Sequence, residues 1–265
     1  FFHAVRGDDN IYRALFCIPF NMDHPAGIVV KAWDEAGNIG VGGLAFRIFP
    51  RRKVQDKINI TDRFLQRKMP GFASRYPDLA GPSLIDIFLK VNKDLRRKNN
   101  QFLLGLSFQS APEILWHGAF RRFPGARKAG FADERHYFYK GREIDQAFHM
   151  GVDIASVMHA PVTASNSGKV VFCADNGIYG NTVVIDHGLG LMSLYAHLNQ
   201  MSVTKGQVVK KGQVIGTTDS TGLAGGDHLH FGMMLSGNFI NPVEWWDGRW
   251  IRDHITSNLS LKQDR

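Results

Sequence analysis

Residues 181–198 read NTVVIDHGLGLMSLYAHL, and this stretch decides the fold class. Two runs of branched and apolar residues flank the turn HGLG, a pattern typical of two short strands joined by a tight turn. Similar strands recur from about residue 116 to 247, in GKVVFCA, QVVKKGQVIGTT and HLHFGMML. No helical period separates them, which argues against strand–helix–strand units. The pattern predicts a mainly β protein in which residues 116–247 form an antiparallel β-sandwich or barrel-like domain.

Two short motifs in this region contain residues that commonly bind metals, at spacings that suit a metal site. The first is HMGVD, which contains His149 and Asp153, and the second is HLH, which contains His228 and His230. Side chains at even separations share one face of a strand. If both segments are extended, each motif therefore presents its two polar side chains on one face.

A third motif, LYAHL, adds His197, which strand alternation places on one face with Ser193 and Tyr195. Two imidazoles and one carboxylate suit zinc, and three protein ligands leave a fourth position for water. Zinc lowers the pKa of that water toward about 7. The remaining imidazoles can carry protons, because histidine titrates in the working pH range. Together the motifs predict a catalytic centre with one zinc ion.

The residues that carry these motifs match a known family. The segment from about 116 to 247 resembles the lysostaphin-like (LytM-type) zinc metalloendopeptidases that act on bacterial peptidoglycan. The resemblance covers about half of the chain and rests on HMGVDIA, APVTASNSGKVV, YGNTVVIDHGLGLMSLYAHL, VKKGQVIG and TGLAGGDHLHFGM with a later NP. It implies a compact antiparallel β-sandwich with a groove on one sheet face.

The resemblance also implies a role for six residues. The HxxxD pair and the second histidine of HxH would bind zinc, and these are His149, Asp153 and His230. The first histidine of HxH and the histidine after Tyr-Ala would assist the zinc water, and these are His228 and His197. Tyr179 in GIYGN would help to hold the oxyanion.

Three further regions flank the zinc domain. Residues 1–52 contain YRALFCIPF, GIVVKAWDEAG and GGLAFRIF between turn signals, and predict a small β-sandwich similar to the accessory domain of some envelope-type members. Residues 53–115 predict a basic helical connector. Residues 248–265 are polar and predict a frayed C-terminal tail.

The connector has both helix signals and an excess of positive charge. Helical spacing predicts one helix over 83–98 with Ser83 as N-cap, and a shorter helix over 61–69 that begins near Thr61. Residues 51–100 carry 13 Lys and Arg against 5 Asp and Glu, while the whole chain has a net charge of +8. Such a segment fits an anionic lipid, a wall polymer, nucleic acid or a plain solvated helical face. It lacks the aromatic interleaving of a single-strand binder, so no nucleic-acid partner is predicted.

The chain has no apolar run long enough to span a bilayer and no signal peptide. It begins at Phe1 without Met, so we expect a processed or truncated form with any export signal or membrane anchor upstream, and a periplasmic or other envelope location. Cys17 and Cys173 fit no metal or redox spacing and predict two buried thiols. A disulfide between them would need an oxidising compartment.

We therefore expect a zinc endopeptidase that hydrolyses peptidoglycan peptides, with D,D cross-links as the bonds suggested by the envelope-type architecture. The alternative is a non-catalytic wall-binding protein or an activator of other wall hydrolases, since family members sometimes lose their ligands. This chain retains all three ligands and both assisting histidines. The motif GQVVKKGQVIG also occurs in lipoyl- and biotin-carrier domains, in which a lysine at a hairpin tip, flanked by Met or Ala, is modified. That lysine is missing from this sequence, so a carrier domain is not expected.

Some polar residues near the motifs have simpler interpretations. His187 is expected at a hairpin turn. Asp186 and Asp227 are expected either to form turns or to orient a metal-binding imidazole by a hydrogen bond, without contacting the metal themselves. The polar segment 133–148 precedes the zinc motif. It motivates the hypothesis that Glu143, or an N-terminal loop, covers the metal in a latent state.

Overall fold

The computed structural model describes residues 2–7, 9–22, 24–47 and 54–259. Its strands are β1 (Val5–Arg6), β2 (Tyr12–Arg13), β3 (Ile28–Trp33), β4 (Ile39–Leu44), β5 (Gln55–Ile60), β6 (Ala126–Ala129), β7 (Glu134–Tyr139), β8 (Arg142–Phe148), β9 (Val152–Ala155), β10 (Pro161–Thr163), β11 (Gly168–Asp175), β12 (Asn181–Gly188), β13 (Leu191–Met201), β14 (Val208–Val209), β15 (Val214–Thr218), β16 (Leu229–Leu235) and β17 (Asn238–Ile240). The helices are α1 (Asp62–Arg75), α2 (Leu84–Lys90), α3 (Arg96–Leu106), α4 (Pro242–Trp246) and α5 (Gly248–Ile251).

Ten strands of the described chain form one antiparallel sheet, which confirms the predicted fold class. The order along its main path is β14-β11-β12-β13-β16-β9-β6, and β17, β15 and β10 pair beside it. The stretch 181–198 supplies the central strands β12 and β13, which pair with each other as expected from the tight turn. Strand β16 is buried along its whole length, and so is almost all of β12. The core of the molecule therefore lies around these central strands.

A second sheet joins the N-terminal half to the segment that precedes the motif HMGVD. Strand β5 runs parallel to β7, from Gln55 opposite Glu134 to Ile60 opposite Tyr139, and β8 pairs antiparallel with β7. The sequence pattern of residues 53–115 predicts only helix, so strand β5 differs from that prediction. Its sequence QDKINI alternates outward and inward, with Ile58 half-buried and Ile60 buried. The charged residue Asp56 occupies an inward position, which hides that period in the sequence.

Both helix starts predicted for the connector are confirmed. Thr61 Oγ1 accepts a hydrogen bond from the Phe64 N–H at the start of α1. Ser83 Oγ accepts one from the Asp86 N–H at the start of α2. These side chains satisfy N–H groups that the first helical turn leaves unpaired. A π-helical turn, Val91–Leu95, joins α2 to α3.

The described part of residues 1–52 differs from the predicted sandwich. It forms two separate hairpins, β1–β2 and β3–β4, instead of two packed layers. YRALFCIPF is a strand only at Tyr12–Arg13. Nearly every residue of β3 and β4 is exposed, and three of the six residues of β4 are glycines with no side chain to bury. Residues 1, 8, 23 and 48–53 lie outside the described residues.

The C-terminal segment is packed as far as it is described, so its predicted fraying is wrong for these residues. Helix α5 continues into a π-helical turn over Arg252–Thr256, and Ile251 and Leu259 are buried. Ile251, Ile255 and Leu259 recur every four residues, which gives the segment an apolar side. Residues 260–265 lie outside the described residues.

The two cysteines are free thiols, each half-buried. Burial raises the pKa of the Cys17 thiol to about 12, so this side chain behaves as a small apolar group at neutral pH. Among the described residues, no helix has both the length and the apolar character needed to span a membrane.

Candidate metal centre

Three atoms that could bind a metal ion meet beneath a cavity, two from the motif HMGVD and one from His230. His149 Nε2 lies 2.9 Å from Asp153 Oδ1 and 3.0 Å from His230 Nδ1, and His230 Nδ1 lies 2.8 Å from Asp153 Oδ1. The three side chains are almost fully buried. A tetrahedral zinc ion with bonds of about 2.0–2.1 Å holds its ligand atoms roughly 3.3 Å apart. The triangle needs only a few tenths of an ångström of expansion to fit that ion.

A bend in HMGVD brings the first two of these residues together. Strand β9 begins at Val152, and the chain bends at Gly151, so the motif is not one extended strand. In an extended strand His149 and Asp153 would lie about 13 Å apart, too far to share an ion. The predicted strand geometry for this motif is therefore wrong, although the residues do meet. A Cβ at Gly151 would stand 2.6 Å from His230 Nε2, so only glycine fits beneath the ring.

Strand pairing supplies the third residue. Strand β16 pairs with β9 so that His230 lies directly opposite Asp153. Opposite residues of an antiparallel pair share a face of the sheet, which brings their side chains into contact. Leu229 and Phe231 are buried on the other face, as the alternation of HLHF predicts.

Backbone carbonyls fix which nitrogen of three histidines faces the cavity. The Nδ1–H groups of His149, His197 and His228 donate to the carbonyls of Gly130, Thr221 and Gly226, at 2.7, 2.8 and 2.8 Å. Each ring therefore presents an unprotonated Nε2 when neutral. His230 has the opposite arrangement, because its Nδ1 points at Asp153 and its Nε2 is buried without a hydrogen-bond partner. Two imidazole nitrogens and one carboxylate oxygen form a donor set that suits zinc.

Arg135 also lies at this centre, although none of the sequence motifs contains it. It lies on β7, and its Nη2 donates to Asp153 Oδ2 at 2.7 Å, while Oδ1 faces the two histidines. Burial opposes the ionisation of Asp153. The electrostatic interaction with His149 and the side-chain contacts with His149, His228 and His230 outweigh it and keep the pKa of Asp153 well below its usual range. Only the alternation of ERHYFY hinted that Arg135 faces inward.

His228 and His197 lie beside the triangle. Their ring centroids are 4.9 Å apart, and the His197 centroid lies 5.8 Å from that of His230. Burial lowers the pKa of His228, but a hydrogen bond and the charge of Asp153 outweigh it, so the pKa is raised overall. The two atoms His228 Nε2 and Asp153 Oδ1 are 3.5 Å apart. Burial, reinforced by His228 and His230, lowers the pKa of His197 well below its usual value.

A β-bulge turns His197 into the cavity, contrary to the predicted alternation. Register places Ala196 opposite His230 and Tyr195 opposite Phe231. Strict alternation would therefore leave His197 on the face of Tyr195, away from the centre. His197 has φ +59°, and the pairing of β13 with β12 shifts by one residue nearby. Such a bulge redirects one side chain, and its left-handed conformation costs about 1–3 kcal/mol in a residue other than glycine.

Tyr179 lies next to the centre, but its hydroxyl is already occupied. Its ring centroid is 5.4 Å from that of His230. Its hydroxyl donates to Asn100 Oδ1 of α3 at 2.8 Å, and burial raises its pKa. Gly177 lies two residues before Tyr179. A Cβ at Gly177 would collide with Asn99, which neighbours Asn100 in α3.

The cavity above the centre has a volume of about 450 Å³. The five histidine and aspartate side chains, Tyr179 and Arg135 form one part of its lining. The other part comes from the N-terminal half, in particular β5, the start of α1, and Arg96 of α3. The N-terminal half therefore builds one wall of the candidate site.

The other polar residues singled out in the sequence lie elsewhere. Glu143 accepts hydrogen bonds from His136 and Gln146 on the surface, so it does not cover the metal centre. Asp186 accepts hydrogen bonds from Ser110 and Ala111, and also from the Gly188 N–H at the turn that follows. His187 is buried between Ser167 and Ser193. Asp227 lies with His159 and Asp219 in a second, more exposed group of possible ligands.

Comparison with known proteins gives a consistent result for this part of the chain. Residues 147–242 match the model of peptidase family M23. The chain is 43% identical over 95 residues to the DD-carboxypeptidase/endopeptidase Mpg of Neisseria meningitidis serogroup B, and 40% identical over 96 residues to the peptidoglycan DD-endopeptidase ShyA of Vibrio cholerae. It is 38% identical over 97 residues to the murein hydrolase activator NlpD of Salmonella dublin. Each match covers 36% of this chain.

These matches cover only a part of the relatives, 22% of Mpg and of ShyA and 25% of NlpD. Among solved structures, a putative M23 peptidase of Pseudomonas aeruginosa is similar with a TM-score of 0.47 and 24% identity, over 60% of this chain and 61% of that chain. The family match begins two residues before His149 and ends after His230, so it contains the three converging ligand atoms. The chain thus carries a peptidase family M23 domain over residues 147–242.

Proposed function

We propose that this chain is a zinc-dependent endopeptidase that hydrolyses peptide bonds of bacterial peptidoglycan, with D,D cross-links as the bonds cut. The observation that carries the proposal is the buried triangle of His149 Nε2, Asp153 Oδ1 and His230 Nδ1, with edges of 2.8–3.0 Å, beneath a cavity. The names of Mpg and ShyA support the D,D choice. A relative named as a peptidoglycan enzyme also supports a location in the cell envelope.

The three ligand atoms would hold one zinc ion. Zinc supplies Lewis acidity that polarises a scissile carbonyl and lowers the pKa of water. The Gly130 carbonyl fixes the His149 ring, and Arg135 fixes the Asp153 carboxylate through its other oxygen. Such partners behind the ligands set their orientation before the ion arrives.

His228 is the proposed proton acceptor. Its Nδ1–H is engaged with Gly226, so Nε2 is the atom that takes a proton from attacking water. The nearby Asp153 carboxylate stabilises the resulting imidazolium. His197, kept neutral by burial, accepts a hydrogen bond at Nε2 and orients the reacting groups.

Tyr179 is the proposed donor to the developing oxyanion. Burial raises its pKa, so its hydroxyl remains protonated and can donate a hydrogen bond at neutral pH. Because that hydroxyl donates to Asn100 Oδ1, substrate has to compete with α3 for it.

The second candidate function is that of a non-catalytic activator of other wall hydrolases, as NlpD is named. A protein with that role needs no metal centre. The complete donor set in this chain, with two assisting imidazoles in the same cavity, favours the enzyme.

Digestion of purified sacculi by the full chain, with mass analysis of the products, separates the two functions. We expect the zinc-loaded chain to release peptides cut at D,D bonds and a chelator to stop the release. His230→Ala should lose zinc, whereas His228→Ala should keep zinc and lose turnover. The exposed His254→Ala is the matched control and should behave like the parent chain. A zinc-loaded chain that releases no peptide would support the activator, and near-normal hydrolysis by His228→Ala would refute its assigned role.

A further inference from the structure

We propose that the cavity contains a carboxylate-binding site, formed by Arg96 and Arg67, that holds a free carboxylate of the substrate peptide. This inference rests on the proposed function and extends it to the charge of the substrate. The two arginines lie in the N-terminal half of the chain, outside the segment matched to family M23. They line the same cavity as the three ligand residues.

The cavity lining has an excess of positive charge. The lining contains three arginines, Arg67, Arg96 and Arg135, but a single carboxylate, that of Asp153. Arg135 already pairs with that carboxylate at 2.7 Å. Within the described residues, Arg67 and Arg96 form hydrogen bonds but no ion pair. Two positive charges therefore face the cavity without an anion from the protein.

Arg96 is fixed in place by the π-helical turn Val91–Leu95. At this turn the Arg96 N–H bonds to the Val91 carbonyl, five residues back, which leaves the Asn92 carbonyl available. Arg96 Nε donates to that carbonyl at 3.0 Å, and its Nη2 donates to Asn92 Oδ1 at 2.6 Å. Asn92 is buried and donates in turn to Asp145 Oδ2 at 2.8 Å. Single π-helical turns of this kind occur frequently at functional sites.

These hydrogen bonds leave part of the guanidinium free. Arginine has five N–H groups. Nε–H and one Nη2–H bond to Asn92, and Nη2 also lies 3.4 Å from the Tyr137 hydroxyl. Within the described part of the chain, the two Nη1–H groups of Arg96 have no protein acceptor. Arg96 and Tyr179 both line the cavity.

Arg67 adds a second charge at the rim. Its Nη2 donates to the Gly225 carbonyl at 2.9 Å, in the loop that leads to His228. Arg67 is exposed, whereas Arg96 is half-buried. A guanidinium binds a carboxylate with paired hydrogen bonds, which fixes orientation as well as charge. An anchored carboxylate would set which peptide bond reaches the metal centre.

The test compares three substrates that differ in charge. They are a cross-linked stem-peptide dimer with its free carboxylates, and dimers in which either the terminal or the side-chain carboxylate is amidated. We expect amidation of the bound carboxylate to lower kcat/KM of the parent chain by about tenfold to a hundredfold, mainly through KM. Arg96→Gln should lower kcat/KM for the free dimer by a similar factor and remove the discrimination. The carboxylate whose amidation lowers kcat/KM is the one that the site binds.

Matched controls separate charge recognition from folding. Arg97→Gln alters the next residue of α3, whose Nη2 lies 3.6 Å from Asp94 on the surface, and should keep full discrimination. Arg67→Gln tests the site at an exposed position that folding tolerates, with Arg63→Gln on the same helix as its control. Zinc content should be unchanged in all four variants.

Binding measured by NMR titration with the free and amidated single stem peptide makes the test independent of turnover. Carboxylate-dependent binding that Arg96→Gln and Arg67→Gln both abolish supports the site, even if no sacculus is digested and the proposed function fails. If the parent chain hydrolyses and binds charged and amidated peptides equally, the carboxylate site is refuted while the proposed function stands. The site is also refuted if the arginine variants discriminate as well as Arg97→Gln.

Discussion

Asp153 divides its two oxygens between different partners. Oδ1 faces His149 and His230, and Oδ2 receives the Arg135 guanidinium. A monodentate carboxylate can rotate about its terminal bond, and an arginine on the outer oxygen prevents that rotation. Arg135 therefore fixes the orientation of Asp153, the proposed zinc ligand.

We expect Arg135→Ala to weaken zinc binding by about tenfold to a hundredfold, the usual cost of losing a partner behind a metal ligand. Zinc affinity is measured by competition with a chromophoric chelator. Arg142→Ala, an exposed position on the partner strand β8, is the control and should bind zinc like the parent chain. Equal affinities of the Arg135 and Arg142 variants would rule out this orienting role.

The residue types at the centre could be predicted from sequence, but their geometry could not. HMGVD and HLH gave the three converging residues, although the first motif reaches this arrangement by a bend at Gly151 instead of extended backbone. His197 reaches the cavity through a bulge that no residue pattern announces. Arg135 is absent from the motifs because its partner is 18 residues away in sequence and on another strand.

At the scale of elements, helix α3 and the turn Gly177–Tyr179 form one contact. Asn99 Oδ1 accepts a hydrogen bond from the Ile178 N–H at 3.0 Å, and the neighbouring Asn100 accepts one from Tyr179. Asn99 is buried at this contact. The position of Tyr179 therefore depends on a helix far from it in sequence.

Asn99→Ala should lower the free energy of unfolding by about 1–3 kcal/mol, because it leaves the buried Ile178 N–H without a partner. Urea denaturation followed by circular dichroism measures the change. Lys98→Ala on the exposed side of α3 is the control, with an expected change of no more than about 0.5 kcal/mol. A loss no larger than that of the control would mean that the α3 contact contributes little to stability.

Local signals explain which elements were predicted. Thr61 and Ser83 mark helix starts because their side chains bond to the helix itself, so the information is contained within three residues. Strand β5 was missed because its partner β7 lies far along the chain and its own alternation is mixed with charge. The packed C-terminal helix was missed because the polar composition of the segment hid the spacing of three apolar residues.

At the scale of the whole molecule, stability should depend on pH through buried histidine. His187 lies in the core away from the metal centre, and burial lowers its pKa from 6.5 to about 4. The unfolded chain binds this proton near pH 6.5, and the folded chain binds it only near pH 4. Acidification between these values therefore favours the unfolded state, by up to about 3 kcal/mol for a shift of this size.

The free energy of unfolding should accordingly be highest above pH 6.5 and fall as the pH drops from 6.5 to 4. Denaturation curves recorded with a chelator present exclude the separate pH dependence of metal binding. We expect His187→Gln to flatten this part of the profile and the exposed His254→Gln to leave it unchanged. A His187→Gln profile with the parental slope would show that this imidazole does not control acid stability.

The sequence predicted the large antiparallel sheet because its strands are mostly neighbours in the chain and end in glycine turns. It did not predict how the N-terminal half joins that sheet. This junction depends on the pairing of β5 with β7 and on side chains such as Arg96 and Asn99, whose contacts are all distant in sequence. The predicted division at residues 52, 115 and 247 remains a prediction.

The parallel pairing of β5 with β7 has a consequence for the time course of synthesis. Residue 55 leaves the ribosome well before its partner, residue 134, and at about 5–20 residues per second the delay is roughly 4–16 s. Through that interval β5 has no edge to join, and the nascent N-terminal half cannot close its wall of the cavity. The proposed metal centre is completed later still, because His230 is translated last of its three converging residues.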